Sequence, residues 1–461
     1  MIIGRLRGRA GKMSYSLGNL GQALIYHLLG TYLIYYYVDI VGLDPALVGI
    51  GFSVAYGAWN SINDPLAGYI SDRTRTRWGR RIPYVLFCTP PMVILFFLIW
   101  FPSIIETLIP SRDNLALFIY FITVIGVFEL LYTFVTIGWN ALFPEMFQEL
   151  KERLEVSVYR QVAAIIGLII GFVITPQIIY YFTREFGAIN GWGLTGLILG
   201  CVSGISFMIS LLGSVEKREF STAGTLPITS AFRITFTNRS FITAATCILM
   251  ISWSWSLLSA IIPFYVEYIF KGTIADITFI SVPILLMGII FYPIWRKVGT
   301  RYGTKRTLII SYTLEATFML LFVLIADNII GATVIMIFYG IMNSGVSLVR
   351  EILIPDVIDE DEVKTGFRRE GIYLGVNTFI DRFALGLTGI STVLIFSVSG
   401  FTPNTPQPAN VILSMRVLTS TILVIALACF LVSIKYYPLG AERVNEIRDI
   451  LYRMRVEKGA R

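Results

Sequence analysis

The sequence has little charge for its length. Only 15% of its 461 residues are Asp, Glu, Lys or Arg, whereas 55% are hydrophobic, and the mean hydropathy is +0.72. A soluble protein of this composition would have to bury nearly every helix on all sides. We therefore interpret the chain as a membrane protein.

Histidine and paired cysteines are also scarce. The single histidine, His27, argues against a zinc site or a His-dependent catalytic triad. The cysteines lack the paired spacing of a disulfide framework or a metal site, since each stands alone in an apolar run: Cys88, Cys201, Cys247 and Cys429. No nucleophile and base are suitably placed either, so we expect no enzyme activity and no cofactor. The net charge of +7 is spread between apolar runs rather than along one face, so we expect no nucleic-acid partner.

Apolar stretches long enough to cross a bilayer recur along the chain. A membrane helix needs about 20 residues with few charges, and the first such run is too long for a signal peptide. We predict an all-α membrane protein with 12 transmembrane helices in two pseudo-symmetric six-helix bundles. The spans are expected at residues 14–38, 46–70, 83–102, 115–143, 157–181, 191–214, 241–268, 276–296, 307–326, 330–354, 371–398 and 414–436.

Positive charge is concentrated on one side of this topology. If the N-terminus is cytoplasmic, the outer loops carry only Arg112, Arg184 and Lys271, and the remaining loop cations lie inside. The positive-inside rule then places both termini in the cytoplasm of a multi-pass protein of the cell membrane.

The chain divides into two similar halves. Residues 1–215 and 241–436 each contain six spans, and the polar residues 216–240 are expected to form a cytoplasmic linker. The basic loop after the second span of each half is alike, at residues 68–81 and 292–306, which indicates an internal repeat. In residues 437–461 apolar positions recur at helical spacing among basic ones, typical of an amphipathic helix on the inner membrane surface, with a solvated tail as the alternative.

A few ionisable residues fall inside the predicted spans. Each costs at least ~2.5 kcal/mol near the bilayer centre, so each implies a partner in the bundle or an aqueous cavity. We interpret Glu315 as structural, and His27 as either a proton or substrate group or a structural histidine. The residues singled out as candidates are His27, Asp64, Glu129, Arg160, Glu315, Asp381 and Arg382.

Two spans show polar residues at spacings that favour a site. In span 4 a polar stripe is predicted to line a central cavity, or else to bond neighbouring helices. In span 2 the amides and carboxylate on one turn are suited to a proton or a monovalent cation, although Asp64 is alternatively an ion-pair partner of Arg382. The stripe is Glu129, Tyr132, Thr136 and Asn140, and the turn carries Asn60, Asn63 and Asp64.

Span 11 holds two adjacent charges. Asp381 and Arg382 point about 100° apart on a helix, so at least one of them is expected to face the cavity. Asn377 stacks one turn below Asp381.

Several long motifs give the chain a family resemblance. They are SY at 14–15, YYYVDIVGL at 35–43, WNSINDPLAG at 59–68, DRTRTRWGRR at 72–81, DVIDEDE at 356–362, TG at 365–366 and RREG at 368–371. The chain resembles the glycoside-pentoside-hexuronide:cation symporters, the melibiose permease-like family of the major facilitator superfamily. The resemblance covers nearly the whole chain and implies the major facilitator fold and alternating access.

The resemblance implies a cation site that is altered here. The family uses two carboxylates in span 2 and one in span 4, and these positions fall on Asn60, Asp64 and Thr136. Its helper asparagine corresponds to Asn63. A desolvated sodium ion prefers several anionic or carbonyl oxygens, whereas a proton needs one buried carboxylate, so we favour proton over sodium coupling. Glu129 lies two turns outward from Thr136 and is a candidate for a displaced carboxylate.

The sugar site implied by the resemblance is altered as well. The family's span-1 aspartate falls on Ala23 and its span-4 tryptophan on Asn140. Its span-5 arginine is matched by Arg160, and its span-11 lysine is replaced by Arg382. The candidate substrate-binding set is His27, Glu129, Thr136, Asn140, Arg160, Asn377, Asp381 and Arg382.

The sequence thus predicts a cation-coupled symporter of a sugar or glycoside. Transport of a lysolipid on the same fold, or a non-transporting receptor or scaffold, are the alternatives. The expected partners are a small-molecule substrate and membrane lipids, and we expect a monomer. Charged residues of the first inside loop are predicted to clamp the two halves on the cytoplasmic side: Asp72, Arg73, Arg80 and Arg81.

Overall fold

The structure, a computed structural model, describes residues 4, 6–103, 114–147, 150–216, 237–365 and 370–459. These ranges are almost entirely helical and contain no β-strand. Within these ranges, ten helices are long and apolar enough to cross a membrane. One of them, Ile274–Ile325, contains predicted spans 8 and 9, and predicted span 2 falls on the helical residues 45–73, which are not among the ten.

The first six spans follow the predicted order. Span 2 is interrupted at Val54–Trp59, where the backbone winds as a π-helix, and span 5 is interrupted in the same way at Ile170–Ile174. The helical segments are Gly8–Ser16 with Gly18–Tyr35 and Tyr36–Val41 (span 1), Pro45–Ser53 with Val54–Trp59 and Asn60–Arg73 (span 2), Ile82–Ile99 (span 3), Asn114–Met146 (span 4), Leu150–Ile169 with Ile170–Ile174 and Thr175–Phe186 (span 5), and Ala188–Ser210 (span 6).

The last six spans include the shared helix. Ile277–Ile325 contains spans 8 and 9, and Gly303 separates them with a left-handed φ of 78°, a conformation that glycine adopts without strain. The other segments are Arg239–Phe264 with Tyr265–Ile269 (span 7), a short 3₁₀ turn at Ile274–Asp276, Ile329–Thr365 (span 10), Glu370–Ser399 (span 11), Ala409–Tyr436 (span 12) and the tail helix Ala441–Gly459.

The chain forms two compact units. Unit 1 comprises Met1–Thr225 together with Ser259–Thr278 and Thr402–Pro406, so it includes one end of span 7. Unit 2 comprises Leu226–Leu258, Phe279–Phe401 and Gln407–Arg461. The predicted domain limits stay a prediction, and most of the predicted linker lies outside the described residues.

The core of unit 1 depends on close helix contact. Spans 3 and 6 pack through glycines of span 6, and a Cβ added at Gly196 would lie 2.5 Å from Trp100. Small residues allow such close approach where lipid gives no hydrophobic driving force between helices.

The tail helix packs against other helices of unit 2. Val444, Ile447 and Leu451 are buried with Tyr437 and Leu439 in the same apolar cluster as residues of spans 7, 10 and 12. The apolar face that was expected on the membrane surface is therefore covered by protein.

Candidate functional site

Spans 2 and 4 form a buried polar network in unit 1. The Asn60 amide donates to Glu129 Oε2 at 3.1 Å, and the Asn63 amide donates to the Glu129 carbonyl at 3.0 Å. Asn63 also donates to Thr133 Oγ1 at 2.9 Å, and Thr133 donates to Asp64 Oδ1 at 3.1 Å. The network thus links both carboxylates that were predicted for the coupling site.

This network is held in place and shielded. Trp59 donates from Nε1 to the Gly126 carbonyl at 2.9 Å, which fixes span 2 against span 4 one turn from Glu129. Glu129 is only 1% exposed, and Asn63 is fully buried. The side-chain oxygens of Asn60 and Asn63 have no hydrogen-bond partner among the described residues. These oxygens and the two carboxylates are the groups that could hold a proton or a monovalent cation.

Thr136 does not join the network directly. Its hydroxyl donates to the Tyr132 carbonyl at 2.8 Å on its own helix, while Thr133 supplies the hydroxyl that contacts Asn63 and Asp64. Sequence reasoning missed Thr133. The signal was available, because Thr133 lies one helical turn after Glu129 on the polar side of span 4.

A second polar cluster in unit 1 surrounds Arg160. The guanidinium donates to Asn140 Oδ1 at 2.6 Å, and the Asn140 amide contacts Gln22 Oε1 at 3.4 Å. The guanidinium also lies 4.6 Å from the ring centre of Trp139, a cation–π contact. Arg160 therefore points into unit 1 rather than along its span toward the membrane surface. Gln22 is a further polar group that sequence reasoning did not select.

His27 is packed against span 5. It is 6% exposed, and its ring centre lies 3.4 Å from that of Phe172. The Thr31 hydroxyl lies 3.4 Å from His27 Nδ1. These contacts favour the structural interpretation of His27 over a substrate role.

Unit 2 contains a charged cluster between spans 7, 10 and 11. Arg350 forms an ion pair with Asp381. The Ser252 hydroxyl donates to Asp381 Oδ1 at 2.7 Å. Arg350 lies within predicted span 10 but was not among the candidates selected from the sequence, so its pairing with Asp381 is a finding of the structure. Asp381 is thus balanced by Arg350, and not by its neighbour Arg382 alone.

Other candidate residues of unit 2 have separate surroundings. The Asn377 side-chain oxygen is buried without a hydrogen-bond partner among the described residues. Arg382 is partly buried and has partners of its own. Glu315 is 1% exposed and accepts a hydrogen bond from the Asn343 amide at 2.8 Å, which agrees with a structural role.

The first inside loop is fastened within unit 1. Arg80 forms an ion pair with Glu145, and Arg81 Nη1 lies 3.0 Å from the same carboxylate. Glu216 accepts hydrogen bonds from the backbone N–H groups of Arg80 at 2.9 Å and Arg81 at 3.1 Å. These bonds tie the start of span 3 to the ends of spans 4 and 6. The side chains of Asp72 and Arg73, also predicted for gating, lie outside the described residues.

The buried polar groups define what the spans can do. A bundle that holds carboxylates, amides and a guanidinium away from lipid can bind a polar solute and a small cation, the usual arrangement of membrane transporters. None of the described residues form a group of three or more His, Cys, Asp or Glu side chains able to hold a metal ion.

Comparison with known families agrees with this fold. Residues 14–441 match the family described as MFS/sugar transport protein, and the chain belongs to that family of the major facilitator superfamily. The protein is therefore a multi-pass membrane transporter and not an enzyme.

Two relatives illustrate the range of the family. The sodium-dependent lysophosphatidylcholine symporter 1 of Gallus gallus is 25% identical over 485 residues, covering 97% of this chain and 90% of that protein. The isoprimeverose transporter of Lactiplantibacillus pentosus is 25% identical over 410 residues, covering 87% of this chain and 82% of that protein.

Solved structures share the fold. The nucleoside transporter NupG has a TM-score of 0.64 at 15% identity and covers 94% of this chain and 100% of its own. The D-xylose-proton symporter has a TM-score of 0.64 at 14% identity and covers 90% of this chain and 96% of its own. These likenesses confirm the predicted major facilitator fold.

Proposed function

We propose that this protein is a proton-coupled symporter of a sugar or glycoside. The observation that carries the proposal is the buried network of Asn60, Asn63, Asp64, Thr133 and Glu129 between spans 2 and 4. Its span-2 members, Asn60, Asn63 and Asp64, stand at positions where the resemblance to cation symporters of glycosides implies the coupling site, whereas the span-4 position, Thr136, lies outside the network.

Proton coupling is supported by the way Glu129 is bound. Its carboxylate accepts an amide hydrogen bond from Asn60 and is 1% exposed. Burying a charged carboxylate costs much more free energy than burying the same group in its protonated, neutral form. A proton can therefore exchange at this site without a full set of ligands. Sodium is the alternative ion, since the free oxygens of Asn60 and Asn63 could complete a shell with Asp64.

Recognition of a hydroxylated solute is supported by the cluster around Arg160. Gln22, Asn140 and Arg160 offer both donors and acceptors on three different spans. Sugar hydroxyl groups pair with such amide and guanidinium groups, and the indole of Trp139 lies beside the guanidinium. We infer that this cluster binds one side of the substrate.

A lysolipid is a second candidate substrate. One observation favours it, because the lysophosphatidylcholine symporter of Gallus gallus covers 97% of this chain whereas the isoprimeverose transporter covers 87%. The Arg160 guanidinium would then serve as a phosphate ligand, since its planar fork matches phosphate oxygens.

Uptake into proteoliposomes separates these possibilities. We expect accumulation of at least one pentoside or glycoside when an inward proton gradient is applied, and loss of accumulation when a protonophore is added. A parallel set of vesicles receives a sodium gradient at constant pH. Accumulation of labelled lysophosphatidylcholine with no uptake of any sugar would replace the proposed substrate, and accumulation driven by sodium alone would replace the proposed ion.

A further inference from the structure

The ends of spans 1 and 7 that are predicted to be extracellular meet within unit 1. The Tyr35 hydroxyl of span 1 donates to the Glu267 carboxylate of span 7. In the opposite sense, the Tyr268 hydroxyl of span 7 donates to the Asp39 carboxylate of span 1. Each span therefore supplies one tyrosine donor and one carboxylate acceptor to the other.

The contacts include a third segment. The Asn404 amide donates to the Asp39 carbonyl at 2.7 Å, and its backbone N–H donates to the Tyr268 hydroxyl at 2.9 Å. Asn404 has a left-handed φ of 58°, which asparagine tolerates better than most residues. The connection before span 12 thus closes over the pair from Asp39 and Tyr268. Asp39 is only 3% exposed.

The two sides of this contact are related by the internal repeat. Residues 37–39 read Tyr-Val-Asp at the end of the first span of the first half, and residues 265–267 read Tyr-Val-Glu at the end of the first span of the second half. Both segments lie in π-helices, Tyr36–Val41 and Tyr265–Ile269. π-Helical turns are rare and are frequently found at functional sites. The carboxylates Asp39 and Glu267 occupy corresponding positions on these turns, and each accepts a hydrogen bond from a tyrosine of the other span, which favours a shared role.

The strength of the contact depends on its burial. Hydrogen bonds from a tyrosine hydroxyl to a carboxylate are stronger than those between neutral groups, and more so away from water. One turn or more below, the Thr31 and Ser259 hydroxyls are 3.1 Å apart, so spans 1 and 7 stay in contact along this region. A cavity of about 210 Å³ borders the contact and is lined in part by Tyr35, Trp192 and Glu267.

We propose that the Tyr35–Glu267 and Tyr268–Asp39 pairs form a latch that keeps the outer ends of spans 1 and 7 together. The latch has to break whenever these ends separate to admit a solute. Both pairs join the same two segments of spans 1 and 7, so the two are expected to open together. The inference concerns a conformational step and does not depend on which substrate or ion is carried.

Chemical labelling of a buried cysteine tests the latch. In a background with the native cysteines replaced by serine, Thr31→Cys places a thiol at a site that is 1% exposed below the latch. A membrane-impermeant maleimide is applied to intact cells. The double change Tyr35→Phe with Tyr268→Phe is expected to raise the labelling rate at least about tenfold, because two hydrogen bonds to charged groups are lost.

The matched control is Tyr37→Phe. It removes a hydroxyl from the π-helical segment that carries Asp39, but that hydroxyl donates at 2.9 Å to the Ile99 carbonyl of span 3. Its labelling rate should stay within twofold of the parent. A second test uses Glu267→Gln, alone and combined with Tyr35→Phe. Both changes break the same hydrogen bond, so the labelling rate of the combined variant should not exceed that of the faster-labelled single variant.

The result that overturns the latch is a labelling rate in the double variant within twofold of the parent, measured on protein whose thermal stability shows that it is folded. If that variant does not fold, Tyr35→Phe alone decides, with an expected increase of about threefold or more and an unchanged rate counting against the latch. Because labelling needs no transported substrate, this outcome is independent of the uptake experiments.

Discussion

Glu129 Oε2 accepts a hydrogen bond from the Asn60 amide at 3.1 Å, so the carboxylate of span 4 is paired with the span-2 residue that replaces a carboxylate of the cation symporters. The network therefore contains two acidic groups, Asp64 of span 2 and Glu129 of span 4, although the carboxylate positions of the resemblance at 60 and 136 are occupied by Asn60 and Thr136.

Removing the charge of Asp64 should uncouple transport. Asp64→Asn is expected to abolish accumulation against a gradient while downhill exchange of substrate continues, because the neutral amide cannot take up the coupled proton. Both activities are measured in the same proteoliposomes. Glu129→Gln should shift the pH dependence of uptake. Loss of downhill exchange in a folded Asp64→Asn protein would indicate a substrate role instead.

Glu315→Gln is the matched control for these carboxylates. Glu315 is as buried as Glu129, at 1% exposure, and is likewise bound by an asparagine amide. If Glu315 is structural, its glutamine variant should keep both the pH profile and the accumulation ratio of the unmodified protein. A pH shift as large as that of Glu129→Gln would move the coupling site to unit 2.

Substitution of Arg160 by lysine should weaken substrate binding. Lysine lacks the planar fork that contacts Asn140 and the broad cation–π contact with Trp139. We expect KM to rise at least about tenfold, corresponding to one or more hydrogen bonds to a charged group. Arg184→Lys, on an exposed turn of span 5, should leave KM unchanged. An unaltered KM in Arg160→Lys would exclude this cluster from the binding site.

The ion pairs that hold the first inside loop should contribute to the free energy of unfolding. Glu145, with a side-chain exposure of 8%, is paired with both Arg80 and Arg81, so changing both arginines to alanine leaves a buried carboxylate without a cation. The loss is expected to be roughly 3–5 kcal/mol, seen as a clear drop in Tm of the purified protein. The exposed pair of Arg443 and Glu446 is the comparison, and Arg443→Ala should change stability by less than about 1 kcal/mol. Equal effects of the double change and of Arg443→Ala would contradict this account.

The ion pair of unit 2 should behave as one element. Arg350→Gln and Asp381→Asn each remove one member of the pair, so each is expected to lower the uptake rate several-fold. The double variant should be no worse than the poorer single variant, because each change already breaks the same interaction. Fully additive losses would show that Arg350 and Asp381 act separately.

The fold was largely predictable from sequence, whereas the partners of individual side chains were not. Hydropathy and the basic loops predict the spans, and the turn carrying Asn60, Asn63 and Asp64 contributes to the polar network between spans 2 and 4, while its role in coupling stays a prediction. The spacing of residues along one helix does not show which residues of neighbouring helices they contact, so the sequence analysis did not select Thr133 or Arg350. For the same reason the sequence did not show what the apolar face of the tail helix packs against, since such a face can contact either lipid or protein.

The central claim is that the network between spans 2 and 4 couples a proton to solute uptake. The most direct test is the number of protons that enter proteoliposomes with each solute molecule, measured for the unmodified protein and for Asp64→Asn. The account predicts alkalinisation of the medium on addition of the transported glycoside, and none with Asp64→Asn. Uptake that depends on sodium at constant pH, with no proton movement in the unmodified protein, would contradict it.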